Sequence, residues 1–352
     1  AAHVFAITGS SGKTTARAML AAGPGAVLDR VHASEGSLNN HLGVPLSLAR
    51  TPHDADAAVF EIGTNSPGEI APLSALVRPD VSILLNVLPV HLEGLGDLAG
   101  VRREKLAITT GLAPRGCLVL HEAVAPPQPP PAILRRFGRG PDVDVRLEET
   151  AGTVAVHLAD GRILRREFLA YGPHRRLTAC AVLAAIEAAG LDPGAAVDAL
   201  AALAPPAGRG RIGEHGGVRL VDDAYNANPE SMRQALAGAL EGPGGPRLAL
   251  LGDMLELGEE GPALHAALAD ACAGLDRVFC VGPLMAALHE ALPPAARGGW
   301  WPDCASLELD TVLAAAPPGT VLLVKGSNRG FWQHGTVAAL ARALDARGAG
   351  ES

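Results

Sequence analysis

A short apolar strand from His3 to Thr8 leads directly into Thr8-Gly9-Ser10-Ser11-Gly12-Lys13-Thr14-Thr15, which opens a helix-forming run from Lys13 to Ala22. That order of strand, glycine loop and helix leaves few folds open. Glycines let backbone N–H groups crowd around phosphate oxygens, and the helix N-terminus adds positive potential. A lysine at this place reaches terminal phosphates, and the following threonine hydroxyl can ligate Mg²⁺. Gly9, Ser10, Ser11, Gly12, Lys13, Thr14 and Thr15 are therefore candidate phosphate-binding residues. The two glycines are closer together than in the general G-x-x-x-x-G-K-[ST] pattern, and the bland alternative is a flexible Gly-Ser turn before a helix.

Further apolar runs at 57–62 and 81–87 alternate with helix-like segments, the pattern of a mostly parallel sheet covered on both faces. The proline-rich stretch 126–131 is expected to be an extended surface connection. After it, 153–157 and 163–168 flank Asp160-Gly161 as a hairpin, and a helix over 175–189 stops at Gly190. A second helix runs up to Pro205-Pro206. Beyond it, short apolar strands at 218–221, 248–251, 278–281 and 321–324 alternate with helices. The expected architecture is α/β: a phosphate-loop domain with a mostly parallel sheet over 1–207, then a smaller Rossmann-like α/β domain over 208–352. At roughly 150 residues per domain, a chain of 352 residues accommodates both.

The formal net charge of −8 argues against broad nucleic-acid binding, which depends on many phosphate-neutralising cations. Five cysteines without a C-x-x-C pair read as reduced thiols, and no uninterrupted apolar run of about 18 residues predicts a membrane span. A cytoplasmic protein without membrane insertion is the expectation.

The shortened loop resembles that of the Mur ligase family, and the resemblance continues along the chain. It runs through Leu38-Asn39-Asn40-His41-Leu42-Gly43-Val44-Pro45, Glu61-Ile62-Gly63-Thr64-Asn65 and His91-Leu92-Glu93. In the second half it includes Asp222-Asp223-Ala224-Tyr225-Asn226-Ala227-Asn228-Pro229-Glu230-Ser231-Met232, Gly252-Asp253-Met254-Leu255-Glu256-Leu257-Gly258 and Lys325-Gly326-Ser327. The resemblance implies an ADP-forming ligase that moves the ATP γ-phosphoryl group onto a substrate carboxylate. An amine, here dipeptide-like, then attacks the acyl phosphate. Positioning and cancellation of negative charge carry most of such catalysis.

By that resemblance Lys13, Lys105, His91 and Arg209 are catalytic. Thr14, Glu61, His91 and Lys105 would serve two Mg²⁺ ions, with Lys105 converted by CO₂ to a carbamate. A free ammonium repels Mg²⁺, whereas a carbamate offers anionic oxygen. Asp223, Tyr225 and Asn226 would lie on the nucleotide side, and Asn39, Asn40, Lys325 and Ser327 on the substrate side. Read without the family, His91 is a strand-end histidine, Lys105 a surface lysine beside Arg102, Arg103 and Glu104, and Arg209 a linker arginine with Arg211 as its rival.

The pattern departs from the family in four places. His174-Arg175-Arg176-Leu177-Thr178 stands where His-Asn-x-x-Asn is usual, Ala99 where glutamate is common, and Phe331-Trp332 ends the Lys-Gly-Ser motif. The chain also opens at the ATP domain, so acceptor binding is expected from a trimmed domain, from a separate chain, or on a smaller carboxylate. Two alternatives accompany the ligase reading: a relative redirected to another metabolite, and a nucleotide-binding module without ligase activity. A folate-polyglutamate-type ligase shares the chemistry, but the Asn39-Asn40 and Asp222–Met232 motifs point away from it.

Overall fold

The computed structural model describes residues 3–36, 38–90, 92–129, 131, 133–150, 153–166, 172–241 and 245–350. The chain divides into two compact units, Ala1–Ala170 with His174–Leu203, and Ala204–Ser352 with Tyr171–Pro173.

The first unit contains β1 (His3–Thr8), β2 (Val31–Ala33), β3 (Ala57–Glu61), β4 (Val81–Leu84), β5 (Cys117–His121), β6 (Ile133–Gly138), β7 (Val145–Thr150), β8 (Thr153–His157) and β9 (Ile163–Arg166). Its helices are α1 (Lys13–Gly25), α2 (Gly43–Ala49), α3 (Ile70–Val77), α4 (Leu92–Leu95), α5 (Leu98–Leu106), α6 (Pro173–Ala188) and α7 (Pro193–Ala202). The strands form one sheet in the order β2-β3-β1-β4-β5-β6-β7-β8-β9, parallel as far as β7 and antiparallel across β7, β8 and β9.

Alternation along the central strands sends side chains to two cores, as the two-residue period of a strand requires. Phe5, Ile7, Val59, Ile83 and Val119 pack under α1, α6 and α7 with Met19, Leu20, Val182 and Val197. Ala6, Phe60, Leu84 and Leu118 face the opposite side, with Ile70, Leu73 and Val77 of α3 and Leu106 of α5. Both faces of the parallel part are thus closed to water, which is why its strands read as continuous apolar runs. The ends of β1, β3 and β4 meet at one edge, the place where open α/β sheets bind ligands.

The second unit contains β10 (Arg211–His215), β11 (Val218–Asp223), β12 (Arg247–Gly252), β13 (Arg277–Val281), β14 (Arg297–Trp301) and β15 (Val321–Lys325). Its helices are α8 (Pro229–Ala239), α9 (Gly261–Ala266), α10 (Met285–Ala291), α11 (Leu309–Ala314) and α12 (Thr336–Gly350). The sheet order is β10-β11-β15-β12-β13-β14, parallel except for the β10–β11 pair. Val221, Leu251, Cys280 and Leu323 face α8 and α10, while Leu220, Leu250, Val281 and Val324 face α11 and α12.

Several expectations shift in detail. The strand expected over 81–87 ends at Leu84, because the chain from Leu85 turns to line the phosphate loop. The hairpin around Asp160-Gly161 forms as β8 and β9, and Phe168 lies outside the described residues. The sequence reading did not anticipate β2, β5, β6, β7, β10 or β14.

Candidate active site

The phosphate loop is built by three neighbouring strand ends. Gly12 caps α1 in a left-handed conformation (φ 82°) and no side chain caps the helix, so its first-turn N–H groups are left facing the loop. A β-carbon on Gly9 would come within 3.0 Å of Leu85 Cβ, which shows how tightly the loop lies against the end of β4. Asn86, just past that strand, clamps the loop. Its Oδ1 accepts from Ser11 N at 2.9 Å, its Nδ2 donates to Ser11 O at 3.3 Å, and its carbonyl accepts from Ser10 N at 3.2 Å. The Ser10 hydroxyl accepts from Leu88 N at 2.9 Å and so extends the clamp.

Two ammonium groups converge on one carbonyl: Lys13 Nζ donates to Gly9 O at 2.8 Å, and Lys105 Nζ to the same oxygen at 3.1 Å. Lys105 lies in the last turn of α5 and is 1% exposed, so the surface reading of this lysine is corrected by the fold. Burial first, and the like charge of Lys13 second, push its pKa well below the ordinary lysine range against the pull of Glu104. The Glu104 carboxylate is itself engaged with Gly68 N at 2.6 Å and Ile70 N at 2.8 Å, where it caps the start of α3.

Glu61, the buried last residue of β3, receives the Thr14 hydroxyl on Oε2 at 3.1 Å and Asn39 Nδ2 on Oε1 at 2.9 Å. Arg17, one turn along α1 from Thr14, lies 3.8 Å from the same Oε2 and also donates to Ser34 O. Cis ligands of an octahedral Mg²⁺ at about 2.1 Å are about 3.0 Å apart, so the Thr14 and Glu61 oxygens have the separation the ion requires. Among the described residues there is no group of three His, Cys, Asp or Glu side chains able to hold a metal. A site of one carboxylate and one hydroxyl suits an ion that keeps waters and shares phosphate oxygens. His91 lies outside the described residues.

Of the remaining first-unit candidates, Thr15 is buried in α1. Asn40 uses its Oδ1 to accept from Leu42 N at 3.2 Å and Gly43 N at 2.9 Å, an Asx cap on α2. Asn39 is turned onto Glu61. The pair is therefore used internally, one residue orienting a carboxylate and the other a helix.

In the second unit, Lys325 is buried at the end of β15 and pairs with Asp223 Oδ2 at 2.6 Å while donating to Asn226 O at 3.0 Å. Residues assigned to nucleotide and to amine thus meet in one ion pair. Tyr225 donates its backbone N–H to Gly208 O at 3.0 Å. Its ring lies 4.3 Å beneath the Arg209 guanidinium and edge-on to Trp332 at 5.3 Å, a cation–π arrangement that fixes the arginine's direction. A β-carbon on Gly208 (φ 71°) would collide with the Trp332 ring and with Tyr225 Cβ. Ser327, also buried, donates its N–H to Asp253 O at 3.1 Å.

The sequence reading missed the clamping role of Asn86, and it missed Arg17 altogether. Arg17 had a readable signal, three residues after Thr14 on the same helix face. Asn86 had none beyond its place past a strand, because its partner is 75 residues away.

Residues 7–125 match the family profile described as the Mur ligase middle domain, and residues 208–328 match that of the Mur ligase, glutamate ligase domain. The UDP-N-acetylmuramoyl-tripeptide–D-alanyl-D-alanine ligase of Bacillus subtilis is 33% identical over 302 residues, covering 82% of this chain and 64% of the relative. The Escherichia coli ligase of the same name is 33% identical over 342 residues, covering 93% of this chain and 74% of its own length. A MurF crystal structure from Acinetobacter baumannii superposes with a TM-score of 0.84 at 28% identity, over 97% of this chain and 76% of that one. The MurF ligase of Thermotoga maritima in complex with ADP gives 0.84 at 25% identity, over 100% and 81%. The chain therefore spans from under two thirds to about three quarters of the length of these two curated relatives, and on these domain matches, identity and coverage it belongs to the Mur ligase family.

Proposed function

We propose that the chain carries the ATP-binding and C-terminal parts of an ADP-forming ligase of peptidoglycan precursor synthesis. The ligase joins the terminal carboxylate of UDP-N-acetylmuramoyl-tripeptide to the amine of D-alanyl-D-alanine. The observation that carries this reading is the convergence of Lys13, Lys105, Thr14 and Glu61 around one glycine loop. A nucleotide-binding module has no use for a buried lysine beside its phosphate loop.

In this reading the loop from Gly9 to Thr15 cradles the ATP phosphates through backbone N–H groups, and Lys13 leaves Gly9 O for the terminal phosphate. Bound Mg²⁺ supplies charge neutralisation to the transferring phosphoryl group; Thr14 and Glu61 would hold one ion, His91 and Lys105 a second. The substrate carboxylate takes the γ-phosphoryl group as ADP leaves. The amine then adds to the acyl carbon, and phosphate departs with the electron pair of the broken C–O bond as the amine loses a proton. Arg209 would stabilise the transferring phosphoryl group. Asp223, Tyr225 and Asn226 form the nucleotide side, Ser327 the amine side, and Asn39 keeps Glu61 aimed. Lys325 acts on both sides through Asp223.

Lys105 is suited to carbamylation by its surroundings. Its depressed pKa raises the share of neutral amine, the form whose lone pair adds to CO₂, and loss of a proton yields the carbamate anion. That anion faces the Lys13 ammonium and adds oxygen ligands to the site. Among the described residues no helix is long and apolar enough to cross a membrane; the proposed place of action is the cytoplasm, where both substrates are small and soluble.

The test is phosphate release from Mg-ATP with D-alanyl-D-alanine, with and without UDP-N-acetylmuramoyl-tripeptide, against Lys13→Ala. Release that needs both substrates and falls at least 100-fold in the variant is expected. Undiminished release from Lys13→Ala would sink the loop assignment. ATP binding without release would move the proposal to another acceptor.

A further inference from the structure

The segment from Gly252 to Gly258 has no role in the reading above, yet it is held from several sides. The Asp253 carboxylate accepts from Met285 N at 2.9 Å and Leu284 N at 3.3 Å, and its carbonyl accepts the Ser327 N–H at 3.1 Å. The Met254 side chain is fully buried. Glu256 sits at φ 62°, a left-handed conformation that a residue with a β-carbon keeps only when its surroundings impose it. A β-carbon on Gly326 would lie 3.0 Å from Gly252 Cα, so this loop and the Lys325-Gly326-Ser327 turn pack backbone against backbone.

One side chain anchors the segment from behind. His265 of α9 is completely buried, with Nδ1 2.6 Å from Gly261 O and Nε2 2.9 Å from Met254 N. The carbonyl only accepts and the backbone N–H only donates, so the ring is the neutral tautomer with its proton on Nδ1. An imidazolium would turn a second N–H against that of Met254, and burial pushes the pKa of the ring down in the same direction.

We propose that His265 is a positioning residue for the amine half-site: by accepting the Met254 N–H it sets the Asp253 carbonyl that holds Ser327 N–H, and so fixes where the Lys325-Gly326-Ser327 turn presents Ser327 to a dipeptide-like amine. His265 itself touches no substrate. The inference rests on the assignment of Ser327 to the amine side.

Two amide side chains separate the two ring nitrogens. In His265→Gln the side-chain oxygen takes the place of Nε2 and still accepts from Met254. In His265→Asn the amide nitrogen replaces Nδ1 and Met254 N–H loses its acceptor. With ATP and UDP-N-acetylmuramoyl-tripeptide saturating, His265→Asn is expected to raise the KM for D-alanyl-D-alanine about tenfold, the effect of one buried donor left unpaired. The KM for ATP should change less than twofold, and His265→Gln should restore the amine KM to within about threefold of the parent, a rescue scaled on the same unpaired donor. Equal defects in both variants, parallel shifts in every KM, or failure of both to accumulate as folded protein would overturn the proposal, since each is what a purely structural histidine gives. Ser327→Ala in the same assay separates the two layers. If it leaves the amine KM unchanged, the underlying assignment fails. If it raises that KM while His265→Asn does not, the assignment stands and only the role of His265 is lost.

Discussion

Replacing Lys105 by methionine should stabilise the first unit while abolishing turnover. The side chain is 1% exposed, Gly9 O is shared with the like-charged Lys13, and the neighbouring Glu104 is occupied by two backbone N–H groups. An ammonium in that position is poorly compensated, and methionine fills nearly the same volume without a charge. The sign follows from proton binding. The lysine pKa is depressed in the folded state, so below the unfolded value of about 10.4 the unfolded chain binds the proton more readily. The penalty on folding is therefore fully present at low pH and is relieved as pH rises through the folded pKa towards the unfolded one. Exchanging a poorly compensated buried charge for an apolar side chain of similar size is worth about 1–4 kcal/mol. For a unit of this size that raises the thermal midpoint by roughly 2–4 °C per kcal/mol. The assay is thermal unfolding at pH 7 in CO₂-free buffer and again in bicarbonate. The parent should gain stability with bicarbonate, because a carbamate would face Lys13 as an anion, and the Met variant should not respond. A Met variant less stable than the parent in CO₂-free buffer would refute the reasoning, and an equal bicarbonate response would refute the carbamate.

Three further outcomes follow from the geometry. Lys105→Ala should lose nearly all phosphate release and regain part of it with formate or acetate, which replace the carbamate oxygens; full activity without added carboxylate would remove Lys105 from the site. Glu61→Gln keeps the acceptor for Asn39 but loses the charge, so the Mg²⁺ concentration for half-maximal release should rise about tenfold, on the scale of a lost charged contact, and an unchanged Mg²⁺ titration would count against ligation. Asn228 caps α8 by accepting from Ser231 N at 2.8 Å while Ser231 Oγ accepts from Asn228 N at 3.0 Å; Asn228→Ala should destabilise the second unit by about 1 kcal/mol and leave every KM within twofold, and a larger KM effect would give Asn228 a direct contact.

What the sequence disclosed and what it withheld divide along the range of the interactions. The phosphate loop was readable because strand, glycines, Lys13 and helix all lie within about twenty residues, each constrained by its own backbone requirement. The core strands β1, β3, β12 and β15 were readable because burial on both faces leaves continuous apolar runs. Central β5, a buried apolar run over Cys117–His121, went unread all the same, and so did three edge strands: β10 carries exposed Arg211 and Ile212, β14 begins Arg297-Gly298-Gly299, and β2 is three residues long. Each of these three is a strand because of its neighbour's hydrogen bonds, with little β-propensity of its own. Lys105 marks the same division within the candidate site. Its neighbours Arg102, Arg103 and Glu104 give it the pattern of a solvated helix face, and its burial is decided by a loop 96 residues earlier in the chain.

The residues that hold the site follow the same rule. Lys13 and Thr14 stand out as candidates by type and spacing, because phosphate and metal demand particular side chains, and Glu61 through the family resemblance. Asn86, Arg17 and His265 hold loops in place through backbone carbonyls and N–H groups, which any chain offers at every residue. A histidine in α9 has the same sequence signature whether it accepts from Met254 or faces water; only its complete burial between Gly261 O and Met254 N distinguishes the two. For this reason the substitutions most able to separate positioning from chemistry are those at silent positions, where Gln and Asn differ by which ring nitrogen they imitate and by nothing the substrate touches.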